Sequence, residues 1–287
     1  MMGVTIETPH LKMEIKLVSI ESLFIHEETI PAALKKLKQE LIDEKVLHHP
    51  MIVDRETLVV LDGMHRVAAL RGLGYQLAPV CLVDYQNPEI QLTAWFREFE
   101  GEVNFSNLVK SLPTKLSLDL VPTTTDIAFE QVESRKAIAA LAQGTKAYLF
   151  TKPTALPIKE TYDEIAKIES VTCGMSFQIV YSAGIDAIKT IQNRIRPVLI
   201  VPALTKTEVI NSALNHELFI QKTTRHLVPA RPLFVNVPLS WLEILDLNKA
   251  NQKLAAYLKR KQIVKQDSGT VINGRRYEEH AYIFTDP

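Results

Sequence analysis

The stretch from Leu58 to Gly74, LVVLDGMHRVAALRGLG, determines the fold expected for the first part of the chain. An apolar run of strand type stops at Asp62-Gly63, and a helical pattern follows until further glycines end it. A strand that turns directly into a helix points backbone N–H groups and the positive end of the helix dipole at one place. Such a place favours a phosphate group.

Three side chains beside this turn suit a phosphate site. Arg66 can bind phosphate oxygens through two parallel hydrogen bonds, and His65 can donate another. Asp62 suits Mg²⁺, which takes oxygen ligands and usually shares them with substrate phosphates. The alternative is an ordinary strand-to-helix turn with a solvated His-Arg pair.

The overall composition is that of an ordinary globular protein. The chain has 287 residues, 46% hydrophobic and 23% charged, with a formal net charge of zero. This length suits one large or two modest domains, and the neutral charge favours neither nucleic acid nor an anionic membrane as partner. Two cysteines without a CxxC motif, no signal peptide and no run of 18 apolar residues predict a cytoplasmic protein without a membrane span.

Strand and helix patterns surround the central stretch. A helix is predicted over Ala32 to Glu44, and Pro31 stands at its first turn, where proline is favoured. The loop before it carries Glu27 and Glu28, and His48-His49-Pro50 follows it. Strands are predicted at 11–19, 51–53, 58–61, 78–85 and 89–96, the last with Trp95.

The second half alternates in the same way, with a hairpin predicted across 137–150 and helices at 158–169 and 185–195. Its most informative stretch is QKTTRHLVP, 221–229. Lys222, Thr223, Thr224, Arg225 and His226 would together bind an anion. The alternative is a polar loop with one capping threonine, but two anion-type motifs about 160 residues apart fit a cleft that takes one from each lobe.

The order of these motifs resembles the ParB/sulfiredoxin superfamily, whose members bind nucleotide phosphates at this turn. Met64 stands where sulfiredoxin has its reactive cysteine, which argues against sulfinic-acid reduction. Chromosome-partitioning members carry an arginine-rich version of the motif and then a helix-turn-helix, and neither pattern is found here.

The combination of an early His-Glu, DGxHR, a tryptophan after the next strands and KTTRH resembles the free L-serine kinases over roughly residues 11–240. The resemblance implies phosphorylation of L-serine to O-phospho-L-serine with ATP or ADP as donor and Mg²⁺ as cofactor. A tail beyond residue 240 favours a bacterial branch linked to siderophore precursors, and with it ATP.

The resemblance also implies roles for individual residues. Glu27 is the expected general base, with Glu28 as its rival, and Asp62 is the expected catalytic acidic group and Mg²⁺ ligand. The residues expected to bind the nucleotide phosphates are Gly63, His65, Arg66, Thr223 and Thr224. Those expected to bind serine are Trp95, Arg225, His226 and His49, with His48 as the alternative to His49.

The expected architecture is α/β (α+β), with a ParB/sulfiredoxin-like domain over 1–100 and a second α/β lobe over 101–235. A helix and a hairpin are predicted in an extension over 236–287. The competing functional hypothesis is a ParB-like, nucleotide-responsive DNA-binding regulator. The neutral charge and the missing helix-turn-helix pattern count against DNA as a partner.

Overall fold

The computed structural model describes residues 4–101, 104–112, 116–175 and 177–287, and their fold is mixed α/β. Residues 1–3 of the predicted first domain and 102, 103, 113–115 and 176 of the second lie outside the described residues. The helices are α1 (Pro31–Glu44), α2 (Met64–Gly72), α3 (Phe105–Ser111), α4 (Thr125–Glu133), α5 (Ile158–Cys173), α6 (Gly184–Gln192), α7 (Lys206–Leu214) and α8 (Leu247–Leu258).

The strands are short and belong to several sheets. In chain order they are β1 (Val4–Glu7), β2 (Lys12–Ser19), β3 (Val46–Leu47), β4 (Met51–Asp54), β5 (Val60–Asp62), β6 (Leu77–Val83), β7 (Gln91–Ala94), β8 (Phe96–Glu100), β9 (Asp119–Thr124), β10 (Ala139–Gln143), β11 (Lys146–Thr151), β12 (Gln178–Ser182), β13 (Val198–Ile200), β14 (Thr224–Leu227), β15 (Ala230–Leu233), β16 (Val237–Pro238), β17 (Gln262–Gln266), β18 (Val271–Ile272), β19 (Arg275–Arg276) and β20 (His280–Thr285).

The chain folds into two compact units that are each assembled from separate stretches. The first takes in Met1–Gln91, Val209–Leu218 and His226–Pro287, and the second takes in Leu92–Glu208 and Phe219–Arg225. The segment that the sequence assigned to a separate extension therefore belongs to the first unit.

A five-stranded sheet in the order β1-β2-β6-β4-β5 forms the centre of the first unit. Strands β4 and β6 run parallel, whereas the other neighbours are antiparallel. Strand β2 buries alternate residues, among them Met13, Ile15 and Leu17, as expected for a strand with one face in the core. Helix α8 is joined to it because the Asn251 amide bonds both the N–H and the carbonyl of Leu17. The strands and helices predicted next to the DGxHR motif, at 11–19, 32–44, 51–53, 58–61 and 78–85, are confirmed with boundaries that differ by at most two residues.

The C-terminal strand is not the edge of an isolated hairpin. Strand β20 lies between β17, to which it is antiparallel, and β15, to which it is parallel. The parallel register pairs Ala230 with His280 and Arg231 with Ala281. The end of the chain is thereby tied to the stretch that directly follows KTTRH.

The second unit is built on a six-stranded antiparallel sheet in the order β12-β8-β13-β10-β11-β9. The predicted hairpin is confirmed as β10 and β11, with Gly144 at φ 65° in the turn. The single strand predicted over 89–96 is wrong, because β7 ends at Ala94 and β8 begins at Phe96. Trp95 lies at the break between the two strands.

None of the helices in the described part of the chain is both long enough and apolar enough to cross a bilayer.

Candidate active site

The turn between β5 and α2 is formed by Gly63, whose φ of +107° lies in the region that favours glycine. A Cβ at this position would lie 2.7 Å from the Cγ atom of Met51 and 2.8 Å from Nη2 of Arg66. As the residue that caps α2, Gly63 has no side chain to accept the first helical N–H groups, which leaves them for a ligand or water. The local backbone thus has the features expected of a phosphate site.

Arg66 is anchored beside this turn. Its Nη1 donates to the carbonyl oxygens of His49 (2.7 Å) and Pro50 (2.8 Å), and its Nη2 lies 3.5 Å from Oδ2 of Asp62. Burial lowers the pKa of the guanidinium, while Asp62 opposes that shift. Arg66 therefore orders the segment before β4 and supplies positive charge at the turn.

Asp62 ends β5 and is held through one of its two oxygens. Oδ2 accepts a hydrogen bond from Arg231 Nη1 and faces Arg66. Burial opposes its ionisation, but the two arginines outweigh burial and hold the pKa of Asp62 well below its usual range. Within the described residues, none of the hydrogen bonds or ion pairs of this side chain involves Oδ1.

A single carboxylate oxygen of this kind fits Mg²⁺, which is often bound through one or two carboxylates plus substrate phosphates. A metal site formed only by protein side chains would need several such ligands. Among the described residues, no three histidine, cysteine, aspartate or glutamate side chains come together as metal ligands.

His49 and His48 have different surroundings. The Nδ1 atom of His49 accepts a hydrogen bond from the Phe234 N–H (3.1 Å). Burial, and then the nearby Arg66, lower the pKa of His49 to about 4, so its ring is neutral at pH 7. His48 lies on the surface, where its ring nitrogens contact Glu44 (2.6 Å) and Asn236 (2.7 Å). Of the two histidines, only His49 lies beside Arg66.

The loop that carries Glu27 is hydrogen-bonded to β5 on one side and to the DGxHR motif on the other. Before Glu27, Phe24 bridges to the strand region, since the Val60 N–H donates to the Phe24 carbonyl (2.8 Å). After it, the Ile30 N–H donates to Nε2 of His65 (2.9 Å). Nε2 of His65 is therefore an acceptor, and a proton on the neutral ring belongs to Nδ1.

Burial separates the two candidate acids of this loop. Glu27 is 6% exposed, whereas its neighbour Glu28 points to solvent. Nε2 of the fully buried His26 lies 3.9 Å from Oε1 of Glu27. Burial, and then the charge of His226, push the pKa of His26 well below its usual value, so this imidazole is neutral. Glu27 is thus the buried acid of the two, and Glu28 is the exposed one.

His226 lies next to the Glu27 loop. Its ring is 5.6 Å from that of His26 in an edge-to-face arrangement, and its Nε2 is 2.8 Å from the Tyr85 hydroxyl. Burial raises the pKa of Tyr85, which keeps the phenol protonated. The first unit therefore brings together the last residue of KTTRH and the loop of the predicted general base.

The remaining KTTRH residues belong to the second unit, where they surround Trp95. The Lys222 Nζ lies 5.1 Å and the Arg225 Cζ 5.2 Å from the centre of the Trp95 ring, both within the range of cation–π contacts. The backbone of Trp95 is held by Arg97, whose Nη1 donates to its carbonyl oxygen (2.5 Å). Trp95 is therefore a platform for two cations.

The two threonines are more buried than the motif indicates. Thr223 is fully buried, and its hydroxyl donates to the Ile220 carbonyl (2.8 Å). Thr224 is 7% exposed at the start of β14. Their assignment to the nucleotide phosphates stays a prediction. The hydrogen bond of the Thr223 hydroxyl fixes the turn before β14.

Sequence reasoning missed three residues of the first unit: Tyr85, Arg231 and Glu279. Arg231 is buried and joins the Asp62 carboxylate to that of Glu279. The one signal available was a charged residue within the otherwise apolar run ARPLFV, because an arginine among core positions needs a buried partner.

No family model matches the chain. The chain is 24% identical over 246 residues to an ATP-dependent L-serine kinase of Staphylothermus marinus, covering 82% of this chain and 94% of that protein. It is also 24% identical to the ADP-dependent L-serine kinase SerK of Thermococcus kodakarensis, and that match covers 82% of this chain and 96% of SerK.

Among solved structures, a free serine kinase in complex with AMP is 25% identical and has a TM-score of 0.66. The superposition covers 79% of this chain and 93% of the kinase. Sequence and fold thus agree over most of both chains. The chain is therefore a homologue of the free L-serine kinases over most of its length.

Proposed function

We propose that this protein transfers the terminal phosphoryl group of ATP or ADP to the hydroxyl of free L-serine, which yields O-phospho-L-serine. The observation that carries this proposal is the position of Glu27. A buried carboxylate lies on a loop that is hydrogen-bonded to Val60 in β5 and to His65 in α2. These two elements flank the turn at Asp62-Gly63, called the phosphate-type turn below. The carboxylate that would activate the serine hydroxyl and the turn that would bind the phosphates are therefore held by the same hydrogen-bonded segment of the first unit.

The phosphate end of the reaction is assigned to the turn at Gly63. The first N–H groups of α2 and the positive charge of Arg66 suit the phosphates. Phosphoryl transfer requires mainly that the groups be positioned and that the charge developing on the phosphate oxygens be stabilised. Bound Mg²⁺ would neutralise part of the phosphate charge, with Asp62 as its protein ligand.

Glu27 is assigned the role of general base. The serine oxygen attacks the terminal phosphorus as its proton passes to the Glu27 carboxylate, and the bond from phosphorus to the bridging oxygen breaks. The nucleotide leaves with those electrons, as ADP from ATP or as AMP from ADP. Glu27 is buried, and a carboxylate suits this role when it lies within hydrogen-bond reach of the hydroxyl that it deprotonates.

Arg225, Trp95, His226 and His49 are assigned to the serine substrate. A guanidinium can bind the serine carboxylate through paired hydrogen bonds, and Arg225 is already ordered by its contact with the Trp95 ring. His226 contacts the Tyr85 hydroxyl through its ring, and the main-chain carbonyl of His49 accepts a hydrogen bond from Arg66. Thr223 and Thr224 are retained for the nucleotide.

The nucleotide and the biological purpose are finer points of the proposal. Relatives at equal identity use ATP in one case and ADP in the other, as their names state. The link to siderophore precursors, and the preference for ATP that goes with it, stays a prediction from the resemblance of the C-terminal tail.

The direct test is to incubate the purified protein with L-serine, Mg²⁺ and either ATP or ADP, and to detect phosphoserine by mass spectrometry. We expect phosphoserine with at least one nucleotide and none with D-serine. Absence of product with both nucleotides, together with nucleotide-dependent retention of DNA, would instead favour the ParB-like regulator.

A further inference from the structure

Arg231 connects the phosphate-type turn to the end of the chain. Its Nη1 donates to Oδ2 of Asp62, and its Nε donates to Oε1 of Glu279. Only 10% of the Arg231 side chain and 13% of the Glu279 side chain is exposed. The Asp62 side chain is 37% exposed, so the three side chains form a carboxylate–guanidinium–carboxylate row in the first unit that is buried at Glu279 and Arg231 and accessible at Asp62.

We propose that Glu279 and Arg231 are positioning residues that orient the Asp62 carboxylate towards the nucleotide and its Mg²⁺. The inference rests on the proposed function and deepens it. It assigns a part in the site to the C-terminal segment, which the motifs of the sequence did not reach.

The geometry of the guanidinium supports this role. The group is planar, and its N–H donors point in fixed directions. When Glu279 holds Nε, rotation of the guanidinium is prevented, and Nη1 is presented to Asp62 in one orientation. Arg66 approaches the same oxygen of Asp62 from 3.5 Å. Two cations therefore fix Oδ2, which leaves Oδ1 as the oxygen directed at a ligand.

Strand pairing supplies the second support. Strands β15 and β20 run parallel in a register that pairs Ala230 with His280 and Arg231 with Ala281. Glu279 directly precedes β20, so the register itself brings its carboxylate beside Arg231. Glu279 itself lies in the bend before the strand, and the next residue begins the pairing, since the His280 N–H donates to the Pro229 carbonyl (3.1 Å).

Charge balance explains why both carboxylates are needed. Arg231 and Arg66 together balance the carboxylates of Asp62 and Glu279, and removal of Glu279 leaves two guanidiniums facing the single carboxylate of Asp62. Without Glu279, the Arg231 guanidinium can rotate towards Asp62, and the orientation of the Asp62 carboxylate then changes with it. An alternative role, stability alone, predicts that any loss of a comparable ion pair has the same consequences as loss of Glu279.

The experiment compares Glu279→Gln, Glu279→Asp and Arg231→Lys with the matched control Glu14→Gln. The control removes a carboxylate from a partly buried pair with Arg55 in the same unit. Stability is measured by urea denaturation, and nucleotide affinity is measured by calorimetry in the presence and absence of Mg²⁺. Where activity is present, kcat and the KM for serine are measured as well.

For Glu279→Gln and Arg231→Lys we expect unchanged nucleotide affinity without Mg²⁺. The affinity gained on adding Mg²⁺ should fall about tenfold, as is common when a residue that orients a metal ligand is replaced. We expect kcat to fall and the KM for serine to stay within about twofold, since the interaction lost serves the reacting phosphate. Glu279→Asp should recover part of the loss, and Glu14→Gln should match the wild type in every binding measurement.

The proposal is overturned if folded Glu279→Gln or Arg231→Lys keeps the full gain in affinity on adding Mg²⁺, or if Glu14→Gln loses as much. Arg231→Lys retains the positive charge and serves as the deciding variant if Glu279→Gln does not fold. Because the affinity measurement needs no turnover, a protein without kinase activity would refute the proposed function and still test the positioning of Asp62.

Discussion

Replacement of Gly63 by alanine should damage the phosphate-type turn more than an equivalent change elsewhere. Both Gly63 (φ +107°) and Gly74 (φ +83°) have backbone angles that L-residues rarely adopt. Alanine in the left-handed region costs about 1–2 kcal/mol at either position. At Gly74 nothing lies within 4 Å of the added Cβ, so this backbone cost is the whole effect.

At Gly63 a steric cost is added. The new Cβ would lie 2.7 Å from the Cγ of Met51, which is fully buried, and 2.8–2.9 Å from the guanidinium nitrogens of Arg66. Overpacking of a filled site costs about 1–3 kcal/mol. We therefore expect Gly63→Ala to lower the free energy of unfolding by about 2–5 kcal/mol, against about 1–2 kcal/mol for Gly74→Ala.

Urea denaturation measures the two free energies, and calorimetry at saturating Mg²⁺ measures nucleotide affinity. Displacement of Arg66 and of the N–H groups at the start of α2 should weaken nucleotide binding at least about tenfold in folded Gly63→Ala, which corresponds to about 1.4 kcal/mol. Gly74→Ala should bind as the wild type does. Equal stability and equal affinity of the two variants would refute the assignment of this turn to the phosphates.

Three further predictions concern the neighbouring groups. Trp95→Ala removes the ring that contacts the Arg225 guanidinium. A cation–π contact is worth about 0.5–1 kcal/mol, so we expect this variant to raise the KM for serine several-fold and Trp95→Phe to raise it less. An unchanged KM in steady-state kinetics would show that the ring serves only the core. Burial lowers the pKa of His49 to about 4 in the folded protein. As the pH falls below 6.5, His49 is therefore protonated in the unfolded chain before it is protonated in the folded one, and the free energy of unfolding decreases until the pH reaches about 4. Urea denaturation should show the wild type losing up to about 2 kcal/mol more than His49→Asn between pH 7 and 5, and parallel pH profiles would contradict this. Tyr85→Phe removes the hydroxyl that contacts His226 and should cost about 1 kcal/mol of stability and lower kcat; kinetics identical to the wild type would assign this hydrogen bond to stability alone.

Local signals explain which parts of the fold could be predicted from sequence. Proline at 31 and the Asp62-Gly63 turn mark helix starts through properties of single residues, and α1 and α2 begin where these signals place them. The strand over 89–96 was wrong because its apolar residues continue across Trp95, whereas the chain leaves β7 at Ala94. Nothing in the alternation of polar and apolar residues marks that break.

The candidate site shows the same limit. Glu27 and the DGxHR residues form recognisable short motifs, but Arg231 meets Asp62 across 169 positions and Glu279 across 48. Such pairs depend on how β15 and β20 are aligned, which is a property of the folded chain. Burial likewise separates Glu27 from Glu28, although the two acids are adjacent and alike in sequence.

The central claim is that Glu27 accepts the proton of the serine hydroxyl. The most direct measurement compares Glu27→Gln with Glu28→Gln in phosphoserine formation and in nucleotide affinity. We predict that Glu27→Gln binds nucleotide as tightly as the wild type while kcat falls by about 10²–10⁴, as expected for loss of a general base, and that Glu28→Gln remains active. Normal turnover in Glu27→Gln, or an equal loss in Glu28→Gln, would contradict the account.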